Sequence, residues 1–301
     1  MGRVRTAHRD ILSGYLLLIP LAAVIAVFSL YPVVYSFILS LHRIILSLPT
    51  LGEPYVGLSN YWQLLNDPVA RNALLVTLIF VSVSTAVEIV IGLGLALVIN
   101  ESFKYRGAVR AAVLIPWAVP TVISSQMWRF AFNDQYGIVN LLFFGDGVQH
   151  YVAWLASPSW AMVAIIVADV WKTSSFAALI ILAGLQTIPK ELYEAAAVDG
   201  ASSIQRFFRI TLPLLRSAIL LAIIFRTMDA FRAFGLVYVM TQGGPGDATN
   251  VLQYYGYKTM FAEGLVGLGS AISIVVFLLV FSVSMLYVRL ISTSLLEGKE
   301  A

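Results

Sequence analysis

From Ile11 to His42 the chain runs for 32 residues without an Asp, Glu, Lys or Arg. About 20 apolar residues are enough to cross a bilayer as a helix, and in hydrocarbon the backbone must satisfy its own hydrogen bonds. A run of this length therefore folds as a membrane-spanning helix. Arg3, Arg5 and Arg9 precede it in the manner of a secretory leader. A leader's apolar stretch, however, is only about 7–15 residues long, so the expectation is an uncleaved first span. The pattern recurs, giving candidate spans at about 11–41, 72–99, 111–128, 160–184, 214–240 and 267–288. The expected fold class is an all-α integral membrane protein with six transmembrane helices in a single domain, 1–301.

Composition supports this. Charged residues are 12% of the chain and hydrophobic ones 59%, against roughly 25% charged in soluble proteins. So few charges could not cover a water-facing surface, which excludes a soluble enzyme and, equally, a disordered chain. The net charge of +3 could point to nucleic acid, but in a membrane chain surplus Lys and Arg mark cytoplasmic loops. With the N-terminus inside, twelve basic residues fall on the cytoplasmic side, among them Lys104, Arg106, Arg110, Lys190, Arg206, Arg209, Arg216, Arg289 and Lys299. Only Arg43, Arg71, Arg129 and Lys258 fall outside. Both termini are expected in the cytoplasm, and no nucleic-acid partner is expected.

The inventory of reactive groups is thin. There is no cysteine, and His8, His42 and His150 are scattered through a terminus and loops, so no metal set is expected. No Walker A sequence and no Gly-x-Ser-x-Gly elbow occur. The chain is expected to bind no cofactor and to carry no ATPase site or other catalytic centre. Gly92 and Ala96 form a small-xxx-small pair suited to close helix packing. The run Thr241-Gln242-Gly243-Gly244-Pro245-Gly246 reads as an outward loop ending the fifth span.

One cytoplasmic segment, 186–213, has structure of its own. Pro189 can open a helix, with Glu191 and Glu194 favouring its positive end. Gly200 suits the left-handed residue that stops it, after Asp199. A second short helix from about Ser202 would put Ile204, Phe207 and Phe208 on one side, and Pro213 would separate it from the fifth span. Such an apolar helix-turn-helix knob would suit docking of a soluble partner, or lie on lipid as an interfacial helix.

Glu194-Ala195-Ala196, Gly200 four residues later, and Ile210-x-Leu212-Pro213 at its spacing resemble the EAA loop of ABC import permeases. Tyr55 to Tyr61 followed by Asp67-Pro68, Arg110 with Pro116-Trp117, Gly137-x-x-Asn140, Leu182 to Pro189 and the Thr241–Gly246 loop with Thr249 resemble the carbohydrate, maltose-type branch. The resemblance runs from about residue 15 to 290. The chain lacks the large extra outward domain of the best-known enterobacterial member. The resemblance implies the type I importer permease fold in a bacterial or archaeal cytoplasmic membrane. It implies a second permease, two ATPase subunits carrying ATP and magnesium, an extracytoplasmic solute-binding protein, and import of a disaccharide or oligosaccharide. Glu194, Ala195, Ala196, Asp199, Gly200, Ala201, Phe207 and Arg209 would then couple to the ATPase.

Charges inside a bilayer are costly and point to function. Asp169, Lys172, Thr173 and Phe176 recur on one face of the fourth span, and Arg226, Asp229, Ala230 and Ala233 on one face of the fifth. In maltose-type permeases these two segments line the solute cavity, so the eight residues are candidate sugar contacts. The competing reading is structural ion pairs, Asp169 with Lys172 and Asp229 with Arg226. Glu88 is read as structural, and Arg232 as too near a span end to reach solute. Arg226 and Arg232 also leave open a phosphorylated polyol such as a glycerol phosphate. A motor-independent transporter or channel is the other class, and the knob argues against it.

Overall fold

The computed structural model describes residues 17–145 and 151–297. Arg3, Arg5, His8, Arg9, His150 and Lys299 lie outside the described residues, as do positions 11–16 of the first expected span. The helices in chain order are α1 (Leu17–Ser40), α2 (Ser59–Asn66), α3 (Pro68–Asn100), α4 (Arg106–Ala118), α5 (Thr121–Ala131), α6 (Ile138–Phe144), α7 (Pro158–Leu185), α8 (Lys190–Val198), α9 (Ser203–Leu214), α10 (Arg216–Ala230), α11 (Gly235–Met240), α12 (Leu252–Tyr257) and α13 (Val266–Glu297). They group into two compact units, one up to Asn66 with Gly256–Val275, the other Asp67–Tyr255 with the segment from Val276 onward.

In the first unit, the apolar stretch of α1 is wholly exposed, as lipid- or protein-facing membrane helices are when considered alone. Beyond its end the chain folds back, with His42 bridged to Tyr55 and the Arg43 N–H donating to the Pro54 carbonyl. Helix C-termini leave carbonyls without intrahelical donors. Buried Asn60 answers this by donating to the carbonyls of Ser40 (2.7 Å) and His42 (3.0 Å). The Tyr61 hydroxyl lies 2.6 Å from Ser40 Oγ. The Tyr55–Tyr61 motif is thus a clamp on the end of α1.

In the second unit, Asp67 caps α3 by accepting from the Val69 N–H (2.9 Å), with Pro68 at the first helical position. Helices α3 and α7 pack along their lengths, with α10 against both. At Gly92 an added Cβ would stand 2.8 Å from Ala177 Cβ and 3.1 Å from the Ala178 backbone nitrogen. Only glycine permits that approach, so Gly92 and fully buried Ala96 do serve close packing. Below them Ile99, Ile181, Leu185 and Leu215 form the buried end of the core.

Two expected spans are not continuous helices. The third is α4 and α5, bent by 91°. Val119 is extended (φ −69°, ψ 130°) because Pro120 follows it, and Pro120 cannot donate to the preceding turn. The fifth expected span, 214–240, is α10 and α11 rather than one helix. Helices α9 and α10 meet at 63°, the bend falling at Leu215 rather than at Pro213, and a further break separates α10 from α11. Among the described residues, four helices are long and apolar enough to cross a membrane alone. Counting each bent pair as one span brings the number to six.

Candidate functional site

The intramembrane charges converge on one guanidinium. Arg226, in α10, is 2% exposed. Its Nε donates to Glu88 Oε2 (2.6 Å) and its Nη2 to Glu88 Oε1 (3.1 Å). Nη1 donates to Asp229 Oδ2 (2.7 Å), and Nη2 reaches Asp169 Oδ2 at 3.5 Å. The Thr173 hydroxyl stands 2.9 Å from Glu88 Oε1 and 2.6 Å from the Asp169 carbonyl oxygen. Three carboxylates from α3, α7 and α10 therefore surround one Arg, which ties the three helices together. A planar fork of five donors is the side chain able to do this.

Beside the cluster lies a cavity of about 210 Å³ lined by Thr121, Asp169, Lys172, Thr173, Asp229, Ala230, Arg232, Ala233, Phe234, Gly235 and Leu236. Six of the eight residues expected at a solute site thus share one wall. Arg226 and Phe176 do not. Arg226 lies behind the wall with its donors engaged, and Phe176 stacks on Trp117 (5.7 Å) and meets Phe225 edge-on (6.2 Å). The expected Asp229–Arg226 pair is present. Lys172 is not within ion-pair distance of Asp169 among the described pairs. Its ammonium instead donates to the backbone carbonyls of Val119 and Trp117.

Glu88, read from the sequence as structural, is the ion-pair partner of Arg226, and Arg232, read as too near a span end, lines the cavity. Glu88 is fully buried and supplies two of Arg226's bonds. It is also the lone charge in the run 72–99, which was signal enough to seek a partner for it. Arg232 lines the cavity and reaches Asp229 Oδ1 at 3.6 Å.

The helix-turn-helix at 186–213 forms as its residues dictate. Helix α8 ends on Gly200 (φ +80°), with the Ala201 N–H donating to the Ala196 carbonyl (2.9 Å) and the Gly200 N–H to the Ala197 carbonyl (3.1 Å). These are the two bonds of a Schellman cap. Ser202 then opens α9 with a reciprocal capping box to Gln205. Tyr193 anchors the pair inward, its hydroxyl 3.0 Å from Thr211 Oγ1. Glu194, Ala195, Asp199 and Arg209 are exposed, and Ala196, Ala201 and Phe207 half-buried. Ile204 and Phe208 are exposed apolar side chains, with Phe208 set edge-on to Phe207.

Residues 88–294 match the family described as binding-protein-dependent transport system inner membrane component. The chain belongs to this family. The inner membrane component is 45% identical to the trehalose/maltose transport system permease protein MalF of Thermococcus litoralis, over 94% of both chains. It is 40% identical to the sulfoquinovosyl glycerol transport system permease protein SmoG of Agrobacterium fabrum, over 94% of this chain and 92% of that one. Its fold is that of a solved bacterial ABC transporter that imports the acidic polysaccharide alginate, with a TM-score of 0.80 at 22% identity, covering 96% of this chain and 98% of that one. The six-span importer permease fold expected from the sequence is therefore the one found.

Other motif residues of this inner membrane component turn out to be structural. Asn140, fully buried, accepts from the Val152 N–H (3.1 Å) and Trp154 Nε1 (2.8 Å) and donates to the Val152 carbonyl (3.0 Å). Thr249 closes the Thr241–Gly246 loop through Thr241 Oγ1 (2.7 Å) and the Gly244 carbonyl (2.6 Å).

Proposed function

We propose that this chain is one permease subunit of an ATP-binding-cassette importer for a disaccharide or oligosaccharide. It works as a heterodimer with a second permease, two ATPase subunits that hold ATP and magnesium, and an extracytoplasmic solute-binding protein. The observation that carries the reading is the polar cavity held inside the membrane by the Arg226 cluster. Asp169 and Asp229 offer acceptors to sugar hydroxyls, and Phe234 adds an aromatic side chain to the same lining. At about 210 Å³ the cavity is smaller than the roughly 300–1,000 Å³ of small-molecule sites, which agrees with a site completed by a second subunit. The names of the trehalose/maltose and sulfoquinovosyl glycerol relatives support sugar-type solutes. A phosphorylated polyol loses one of its two candidate anion-binding arginines, because Arg226 is already committed to three carboxylates.

The exposed faces of α8 and α9 are suited to the ATPase cleft: a capped helix with free carboxylates, followed by the apolar pair Ile204 and Phe208. Closure of two ATPase subunits would push on this knob, and α9 continues through the Leu215 bend into α10, which carries Arg226 and Asp229. The test is uptake into vesicles containing the assembled importer with its binding protein, using labelled trehalose, maltose and glycerol 3-phosphate. ATP-dependent uptake of a sugar but not of the phosphate ester supports the reading. Uptake of the ester alone, or sugar flux without ATP, overturns it.

A further inference from the structure

We propose that Lys172 is a positioning residue that holds the broken third span against the fourth, not a charge that contacts solute. The break between α4 and α5 sets up the need. Pro120 has no N–H, and the 91° bend carries the first N–H groups of α5 away from the last carbonyls of α4. In a membrane no water stands ready for those carbonyls. The Lys172 ammonium, arriving from α7, donates to the carbonyls of Val119 and Trp117. A cation at a helix C-terminus is also favoured by the helix dipole. Around it, the Trp117 ring stacks on Phe176, one turn further along the same helix. The cap therefore fixes α4 to α7 at one level and brings Thr121, the first residue of α5, into the cavity wall. Asp169 and Asp229 face the same cavity, yet the hydrogen bonds of Lys172 go to the carbonyls.

A cap needs donors, whereas solute or carboxylate pairing needs charge. Three variants in the complete importer separate these: Lys172→Met removes both, Lys172→Gln keeps donors without charge, and Lys172→Arg keeps both. The chain has no cysteine, so with partner subunits made free of reactive cysteine, spin labels go to Gly107→Cys and Phe130→Cys alone. With 1.5 Å per residue, arms of about 16 and 14 Å at a right angle set the labels roughly 21 Å apart, against roughly 35 Å for a straight span. We expect Lys172→Met to broaden and lengthen this distance in solute-free complex. Gln and Arg should keep the wild-type distribution. This arm does not depend on the sugar reading. With trehalose, which does rest on that reading, Lys172→Met should lower maximal uptake at least tenfold with little change in half-saturation, and Gln should recover most of it. An unchanged distance in Lys172→Met, or a Gln variant as impaired as Met, overturns the proposal. If Lys172→Met fails to accumulate, the Gln variant decides in the same way.

Discussion

Among the three carboxylates around Arg226, Glu88 should be the one whose replacement by its amide does most damage. Glu88 is fully buried and accepts two bonds from Arg226, one of 2.6 Å, plus one from Thr173. Breaking a buried ion pair typically costs about 3–5 kcal/mol. Arg226 would keep Asp229 at 2.7 Å and Asp169 at 3.5 Å, so the loss is nearer one or two charge-assisted bonds, about 2–3 kcal/mol. For a chain of this size that is roughly 3–5 °C in melting temperature. Asp229 is the internal comparison. Its side chain is 57% exposed, so Asp229→Asn should melt within about 2 °C of wild type. The assay is thermal unfolding of the purified complex in detergent, run as a double-mutant cycle with Arg226→Gln. A coupling of about 1.5 kcal/mol or more between Glu88 and Arg226 is expected. Additive effects, or equal costs at Glu88 and Asp229, would refute the assignment of Glu88 as the principal partner.

Two further outcomes follow from the same geometry. Asp229→Asn should leave yield normal and raise the half-saturation for trehalose uptake about tenfold, the loss of one charged hydrogen bond at the low end of its range; unchanged uptake would remove Asp229 from the site. Gly200 has φ +80° and open space where a Cβ would go, so Gly200→Val acts through the backbone alone, at about 1–2 kcal/mol locally. Binding-protein stimulation of the ATPase should fall while complex yield holds, Gly200→Asn should be milder, and full stimulation in the Val variant would sink the coupling role.

Local features were legible in the sequence because their partners are local. The Gly200 stop and the Ser202 start are set by bonds spanning only a few residues. The Gly92–Ala96 pair was legible for a similar reason: small residues four apart leave room for another helix whichever one arrives. Span continuity was harder. Hydropathy averages across Val119–Pro120, and a proline in an apolar run can kink a helix slightly or break it, depending on what caps the freed carbonyls. Here the capping group is Lys172, 53 positions from Val119.

The charged cluster shows the same limit from the other side. Helical spacing found Arg226 and Asp229 because they are three residues apart. It could not find Glu88, 138 positions away. A charge balance across spans would have gone further. The fifth span carries a buried base, the second a lone acid, and the fourth an acid and a base. An uncompensated charge in hydrocarbon costs more than almost any packing error, so the second span's acid had to meet a base on another helix. Two cations within the spans could answer it, Lys172 and Arg226, and the hydrogen bonds divide them: Lys172 donates to the carbonyls at the Pro120 break, and Arg226 pairs with Glu88.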